Sequence, residues 1–308
     1  MPFDLKNARD LKNAQGSSAI PMTPFTEDDK IDEEVLAEEI EFIVRCGSTS
    51  VTTPVMVSEF ETLNEQERKL MIRIPCEAAK GRLAVIANVA APCTPQAVDY
   101  AEYARKCGAD AVIAMAPAGV DFEYIRKYFK KISDAAGIPV MIQNHSMAGT
   151  MLNPEQLIRL CGEIEHVGWV KQEVQPGPVS ISALTAVKTE ALEGIMSGYG
   201  SQYAPLDYAR GAIASIHACE WADLVQQTWN LFFSGREEEG RRMHYAILPA
   251  LQLEGLLGMR YAKEVMIRRG VFVNRIMRRA AKELSQDDMR EIDKIFDLVK
   301  PYMKDIRL

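Results

Sequence analysis

The sequence has no excess of positive charge: 36 lysines and arginines stand against 43 aspartates and glutamates, so the 308 residues carry a formal net charge of −7. Proteins that bind nucleic acid or an anionic membrane surface need a basic footprint. We therefore expect no nucleic-acid partner. The arginines that cluster late in the chain are interpreted as a solvated helical face: Arg268, Arg269, Arg275, Arg278 and Arg279.

Cysteine pairs at short spacing are also missing. The six cysteines stand singly, and no CxxC motif occurs: Cys46, Cys76, Cys93, Cys107, Cys161 and Cys219. This distribution is typical of buried thiols in a reducing compartment, not of a disulfide framework or a zinc site. The four histidines are not spaced as metal ligands with a carboxylate, so we predict no metal.

A long apolar run is absent as well. No stretch of about 18 apolar residues occurs, which argues against a membrane-spanning helix. Residues 1–16 are polar and lack the apolar segment of a secretory signal. Together these features predict a cytoplasmic protein with no membrane partner.

No GxGxxG motif follows the first apolar run, which weakens the dinucleotide-binding alternative. Instead, short apolar runs alternate with helical patterns, as in parallel βαβ units. Eight such units predict an α/β fold of the (β/α)8 TIM-barrel type, whereas five or six would suggest an open sheet. The predicted strands cover residues 18–22, 50–57, 83–89, 111–115, 139–143, 167–173, 192–197 and 211–216.

From residue 235 onwards the pattern is wholly helical, with helices predicted at 237–257, 259–269 and 285–303. We therefore divide the chain into a (β/α)8 catalytic barrel at residues 1–234 and a C-terminal three-helix domain at residues 235–308. This helical extension could cap the barrel or build a subunit contact.

The sixth predicted strand carries the most informative polar residues. Active groups of such barrels lie at the carboxyl ends of the strands. Because a strand alternates faces, Lys171 and Glu173 point the same way, and with Val170 outward both point into the barrel. A desolvated lysine becomes an amine nucleophile toward a carbonyl, and a neighbouring carboxylate can move protons. The spacing alone fits a structural Lys–Glu pair equally well.

The sequence resembles the dihydrodipicolinate synthase and N-acetylneuraminate lyase superfamily of class I aldolases over nearly its whole length. The Val170-Lys171 pair is similar to the Schiff-base lysine motif of the family, and Asn144 is similar to the asparagine of its tyrosine-asparagine motif. Ser197-Gly198 resembles the family's strand-seven loop. Further similar segments are 20–25, 58–63, 108–112 and 153–157. The resemblance implies a TIM barrel, an imine on Lys171 and a 2-keto acid substrate.

The departures from the family pattern concern its proton relay. Gln143 replaces the phenol donor on strand five, and Met56-Val57 replace the threonine pair after strand two. The tyrosine that neighbouring subunits exchange has no counterpart in residues 116–119. Ala148 stands where some synthases place an arginine. Ordinary dihydrodipicolinate synthase or sialic acid lyase activity is therefore not expected.

The combination of Lys171, Glu173 and Gln143 is similar to the sugar-acid dehydratases of the superfamily. That resemblance implies loss of water from a 2-keto-3-deoxypentonate to give 2,5-dioxopentanoate, within pentose breakdown. Glu173 would serve as acid and base, and Gln143 would orient a hydroxyl or a water. The expected substrate-binding residues are Val57 and Ser58 through their main-chain N–H groups, and Asn144, Ser197, Gly198 and Ile213.

Two alternatives remain open. The chain could be a pyruvate-releasing aldolase of the same family, or a barrel that binds a keto acid without turnover. In each case we expect no cofactor beyond the covalent imine and a small-molecule partner. The family resemblance also implies a homo-oligomer, either a dimer or a tetramer.

Overall fold

The computed structural model describes residues 11–145, 149–304 and 306. Its centre is a closed barrel of eight parallel strands in sequential order, so the predicted TIM barrel is confirmed. The strands are β1 (Gly16–Ile20), β2 (Ser50–Thr53), β3 (Ala84–Asn88), β4 (Ala111–Met115), β5 (Val140–His145), β6 (Val167–Glu173), β7 (Gly194–Ser197) and β8 (Ala214–Ala218).

One helix follows each strand around the barrel. These eight helices are α1 (Glu33–Cys46), α2 (Glu65–Ala79), α3 (Thr94–Cys107), α4 (Phe122–Ala136), α5 (Pro154–Glu163), α6 (Gly177–Ala186), α7 (Ala204–Tyr208) and α8 (Ala222–Phe233). Three more complete the C-terminal extension: α9 (Glu237–Leu257), α10 (Met259–Arg268) and α11 (Gln286–Val299).

The helix boundaries follow local capping chemistry. Asn64 precedes α2 as its N-cap and forms a capping box with Glu67. Gly47 ends α1 with φ 85°, a left-handed conformation that glycine adopts without a Cβ penalty.

The barrel interior is packed with side chains from alternate strand positions. Trp169 is buried there beside Met141 and Met196 and fills a layer of the barrel. Gly194 makes room for it, because a Cβ at that position would lie 2.2 Å from Trp169 Cζ3. Val170 faces the other way, into the apolar layer between the strands and the helices.

Several strand boundaries differ from the predicted ones, and three of these differences have a local cause. The first strand ends at Ile20 rather than at residue 22, and the second ends at Thr53 rather than at residue 57. Each is followed by a proline, Pro21 or Pro54, which has no N–H to donate to the next strand. The last strand begins at Ala214, three residues later than predicted, because residues 207–212 close hydrogen-bonded turns.

The C-terminal extension is tied to the barrel by buried contacts. Lys263 of α10 lies 3.0 Å from Glu59 in the loop after β2, and both side chains are almost fully buried. Trp221, which precedes α8, donates a hydrogen bond from Nε1 to Tyr261 OH at 3.1 Å. These contacts hold α9 and α10 near the loops that carry functional residues in such barrels. No helix among the described residues is both long and apolar enough to cross a membrane.

Candidate active site

Three polar side chains predicted from the sequence meet at the carboxyl end of the barrel. Lys171 Nζ lies 2.9 Å from Glu173 Oε1, and Gln143 Nε2 donates a hydrogen bond of 2.7 Å to Glu173 Oε2. The register of β5 with β6 produces this arrangement, because Gln143 pairs with Lys171 in the ladder. Both carboxylate oxygens of Glu173 therefore have a donor.

The three side chains are buried, with exposed fractions of 3% for Lys171, 8% for Glu173 and 3% for Gln143. Taking an ammonium and a carboxylate out of water is costly unless they are paired and hydrogen-bonded. Their contacts satisfy that condition, and in a site of low dielectric a proton can pass directly along the 2.9 Å contact.

Lys171 and Glu173 line a cavity of about 170 Å³. It is smaller than the roughly 300–1,000 Å³ of sites for drug-sized ligands, so it suits a small substrate. The other residues of its wall come from β1, the loops after β2 and β7, strands β5 and β8, and α9: Ile20, Val55, Met56, Val57, His145, Tyr199, Gly200, Ile216, His217, Ala218 and Glu254.

Gly198 and Val57, both predicted to bind substrate, lie next to the reacting groups. Val57 lines the cavity. Gly198 faces Glu173, and a Cβ there would lie 2.1 Å from Glu173 Cγ. The glycine is therefore required by space, since its φ of −104° is open to any residue.

Ser58 was predicted to contribute its main-chain N–H, but the structure commits that group elsewhere. Ser58 N donates to Val55 O at 2.9 Å, and its Oγ donates to Pro21 O at 2.6 Å. Ser58 thus holds the short 3-10 helix Met56–Ser58 against β1. The N–H groups of Met56 and Val57 come before the first hydrogen bond within that helix, so the helix itself does not use them.

Asn144 and Ser197 were also predicted to bind substrate, and the structure turns both away from the cavity. Asn144 Nδ2 donates to Leu152 O and to Gln172 Oε1. Ser197 Oγ lies 3.1 Å from Ser215 Oγ, on the helix side of the barrel. Strand alternation explains both positions, because each residue follows an inward neighbour.

Ile213, also predicted to bind substrate, lies outside the cavity wall as well. It precedes β8, whose carboxyl end carries the lining residues 216–218, so it lies at the opposite, amino end of the barrel. The late start of β8 causes this displacement. Ala148, a departure from the family pattern, lies outside the described residues.

Two aromatic rings that the sequence analysis did not assign complete one wall. Tyr199 OH donates a hydrogen bond of 2.8 Å to the main-chain oxygen of Glu173. The ring stacks on His145, with centroids 6.4 Å apart. The cavity therefore does contain a phenol, although it comes from the loop after β7 and not from strand five. His145 is the last residue of β5 and pairs with Glu173 in the ladder. Because side chains alternate along a strand, the inward position of Gln143 already predicted an inward His145.

A second carboxyl group, Glu254 of α9, reaches the cavity and was not foreseen. Burial raises the pKa of Glu254 to about 7, although the positive charge of Lys171 acts to lower it. Helical periodicity could not reveal this residue, because its role depends on where α9 packs against the barrel.

Buried groups near the end of β8 are held neutral. Burial raises the pKa of Glu220 well above its ordinary value, and the charge of Glu254 adds to the effect. Burial lowers the pKa of His217 to about 4. Its Nε2 lies 2.8 Å from Ser17 Oγ, on the helix side. Across residues 11–145, 149–304 and 306, no group of three or more metal-ligating side chains comes together.

A profile of the family described as "Dihydrodipicolinate synthetase family" matches residues 13–298. Among curated relatives, the L-2-keto-3-deoxyarabonate dehydratase of Azospirillum brasilense is 25% identical over 284 residues, which span 90% of this chain and 92% of that protein. The 4-hydroxy-tetrahydrodipicolinate synthase of Methanopyrus kandleri is 28% identical over 239 residues, or 74% of this chain and 77% of that protein.

Solved structures of similar fold include dihydrodipicolinate synthase from Rhodopseudomonas palustris, with a TM-score of 0.85 and 23% identity, covering 93% of this chain and 98% of that one. A catalytic lysine mutant of Ruminococcus gnavus sialic acid aldolase also aligns with a TM-score of 0.85, at 20% identity, over 96% of this chain and all of that one. At these identities the structural likeness supports the fold alone.

Proposed function

The chain belongs to the dihydrodipicolinate synthetase family, and from that premise we propose that it is a Schiff-base-forming dehydratase of a 2-keto-3-deoxy sugar acid. L-2-keto-3-deoxyarabonate is the preferred substrate candidate, with 2,5-dioxopentanoate and water as products. The observation that carries the proposal is the buried constellation of Lys171, Glu173 and Gln143.

Imine formation would begin with proton transfer from Lys171 to Glu173. The resulting amine attacks the C2 carbonyl carbon, and a nitrogen proton passes to the oxygen. Glu173 then returns its proton to the C2 hydroxyl, which leaves as water. Glu173 is again a carboxylate, and the iminium on Lys171 is an electron sink that acidifies C3.

Elimination would follow from the same two residues. Glu173 takes a proton from C3, and the electron pair forms the C2–C3 double bond of an enamine. That electron pair then moves to form a C3–C4 double bond as the C4–O bond breaks, and the oxygen takes a proton from an acidic group of the site and leaves as water. Loss of a C5 proton and return of a proton to C3 give a C4–C5 enol, which becomes the aldehyde. Hydrolysis releases Lys171.

Gln143 supports this chemistry without exchanging protons. Its amide N–H holds Glu173 Oε2 at 2.7 Å, which orients the carboxylate while Oε1 faces Lys171. For the carboxylate of the substrate, the N–H groups of Met56 and Val57 are the best donors, because both residues line the cavity and that of Ser58 is already bonded. No metal or other cofactor enters the proposal, since the iminium supplies the electron sink.

The names of the curated relatives support two different reactions after imine formation on Lys171. One is named L-2-keto-3-deoxyarabonate dehydratase, and several are named 4-hydroxy-tetrahydrodipicolinate synthases. The Gln143–Glu173 contact favours dehydration, because an amide cannot relay a proton to an aldehyde oxygen. A pyruvate-releasing aldolase is the second candidate, and Tyr199 is the phenol available to it.

A product assay with the purified protein separates these functions. L-2-keto-3-deoxyarabonate and its epimer are supplied with an NAD-linked semialdehyde dehydrogenase, and pyruvate is measured in parallel. We expect NADH formation in proportion to substrate consumed, and no pyruvate. Accumulation of pyruvate would identify the aldolase. A trapped imine without any product would identify a keto-acid-binding barrel.

A further inference from the structure

We propose that Glu254 is a second catalytic carboxyl group of this site, which protonates the departing C4 oxygen while Glu173 takes the C3 proton. The inference rests on the proposed dehydration. It also makes the C-terminal extension part of the active site, because Glu254 belongs to α9.

The position of Glu254 is set by packing between α9 and the turn after β7. Its carboxylate borders the turn Tyr199–Ser201, where a Cβ at Gly200 would lie 3.2 Å from Glu254 Oε2. The same side chain lines the cavity that contains Lys171 and Glu173. Two carboxyl groups therefore reach the same cavity from different parts of the chain, Glu173 from strand β6 and Glu254 from helix α9.

Elimination needs a base at C3 and an acid at the C4 oxygen, which are two different atoms of the substrate. Glu173 serves as the base, because its carboxylate is ion-paired with Lys171 and receives the Gln143 amide. The proton that Glu173 takes from C3 returns to C3 later in the sequence, so in this scheme a second group protonates the leaving oxygen. Two carboxyl groups whose environments favour opposite protonation states can divide these roles.

The surroundings of Glu254 favour the protonated form. Burial raises its pKa to about 7, and the positive charge of Lys171, which the iminium retains, acts in the opposite direction. The other titratable groups that interact with it are Glu220, before α8, and Tyr261 of α10. Both groups are acids and carry no positive charge, and burial raises the pKa of both. Neither therefore stabilises the ionised form of Glu254. Tyr199 and His145 share the cavity wall.

The proton balance closes with these two groups. Glu173 takes a proton from C3, the C4–O electron pair leaves with the oxygen, and Glu254 donates its proton to form water. Glu254, now a carboxylate, takes the C5 proton, and Glu173 returns its proton to C3. Glu254 finally gives that proton to C4 and takes the enol O–H proton in exchange, so one water is lost per substrate and both carboxyl groups are restored.

The test compares Glu254→Gln with wild type, with Glu173→Gln, and with a control variant, Glu238→Gln, on the exposed part of the same helix. Three readouts are used: borohydride trapping of pyruvate on Lys171, exchange of the pyruvate methyl protons with deuterium oxide, and dehydration of L-2-keto-3-deoxyarabonate across pH 5 to 9. Methyl exchange reports proton removal at the carbon next to the imine, without a leaving group.

For Glu254→Gln we expect trapping and methyl exchange within about threefold of wild type, and dehydration slowed by roughly 10²–10⁴-fold. Wild-type kcat should fall above about pH 7, and that limb should disappear in the variant. Glu173→Gln should lose methyl exchange, and Glu238→Gln should behave as wild type.

Dehydration by Glu254→Gln at the wild-type rate would overturn the role of Glu254 and leave the proposed function intact. Loss of trapping and exchange together with dehydration would also overturn it, since the residue would then support the site structurally. A wild-type protein that traps pyruvate but dehydrates neither epimer would overturn the proposed function and this inference together.

Discussion

Gly198 and Glu173 face each other so closely that the glycine hydrogen occupies the only space available: a Cβ at position 198 would lie 2.1 Å from Glu173 Cγ and 2.4 Å from its Oε1. This contact fixes the side of Glu173 that Lys171 and Gln143 do not touch. The carboxylate is thereby confined on three sides, which is the condition for a preorganised base.

Gly198→Ala should therefore impair catalysis without preventing folding. The added methyl group displaces Glu173, and a misplacement of about 1 Å can cost on the order of 100-fold in rate. We expect kcat for dehydration to fall by about that factor, while borohydride trapping of pyruvate on Lys171 persists. Gly162→Ala in α5 is the control, because a Cβ there meets no atom within 4 Å. Equal kcat values for the two variants would contradict this account.

The part of this site that follows from strand alternation could be predicted from the sequence. The predicted bounds of β4 and β6 match the structure, and the inward direction of Lys171 and Glu173 follows from them. Asn144 and Ser197 were placed by family resemblance instead, against the alternation that Gln143 and Gly198 already implied. Where family resemblance and strand alternation give different directions for a side chain, its direction in the structure is the one that strand alternation predicts.

The rest depends on packing between distant segments. The sequence placed Ile213 inside the last strand, whereas hydrogen-bonded turns delay the start of β8 to Ala214. A run of apolar residues does not indicate such turns. Glu254 lies 81 positions after Glu173 and 83 after Lys171, on a helix whose own periodicity does not indicate its position relative to the barrel. Its contribution follows only from contacts between α9, the turn after β7 and the cavity.

Gln143→Leu tests whether the amide holds the base in place. The substitution keeps a side chain of similar size but removes the donor from Glu173 Oε2, which leaves that buried oxygen without its 2.7 Å contact. We expect kcat to fall by roughly 10–100-fold, because an unsatisfied group bonded to a charge costs about 1.5–3 kcal/mol. The rate of methyl exchange from pyruvate should fall in parallel. Gln96→Leu, in α3 and outside the cavity wall, is the control. A Gln143→Leu enzyme with normal exchange would show that Lys171 alone positions Glu173.

Lys263→Met tests the link between the extension and the barrel. Lys263 Nζ contacts Glu59 Oε1 at 3.0 Å and donates to Thr23 O and Ile276 O, all with little access to solvent. Removing one member of a buried ion pair costs about 3–5 kcal/mol. We expect the free energy of unfolding by urea to fall by that amount. We also expect a raised KM, because Glu59 directly follows the helix Met56–Ser58.

The matched control for this variant is Lys294→Met, which breaks an exposed pair with Glu291 at 2.9 Å. Exposed ion pairs contribute about 0–1 kcal/mol, so its unfolding curve should stay close to that of wild type. If both variants lose the same small amount of stability, the Lys263–Glu59 pair does not anchor the extension.

Glu39 provides a test of stability against pH. The side chain is fully buried in α1, and its Oε1 accepts hydrogen bonds from Met22 N at 2.9 Å and Cys219 Sγ at 3.1 Å. Burial raises its pKa to about 8 from an ordinary value of 4.5. The folded chain therefore keeps a proton that the unfolded chain releases between these pH values.

The sign of the effect follows from that difference. Below about pH 4.5 both states are protonated and the contribution of Glu39 to stability is fully present; it is then lost progressively as the pH rises to about 8. Each pKa unit corresponds to about 1.4 kcal/mol, so the loss is on the order of several kcal/mol. Glu39→Gln keeps the acceptor oxygen but cannot ionise, and this part of the pH dependence should disappear.

Urea unfolding of wild type, Glu39→Gln and the exposed control Glu38→Gln at pH 5, 6.5 and 8 measures this directly. We expect the stability of Glu39→Gln relative to wild type to increase steadily from pH 5 to pH 8, with no such trend for Glu38→Gln. A parallel decline of all three proteins would mean that Glu39 is ionised in the folded state. Lys263, whose charge acts to lower the pKa of Glu39, would then have to supply the compensating charge.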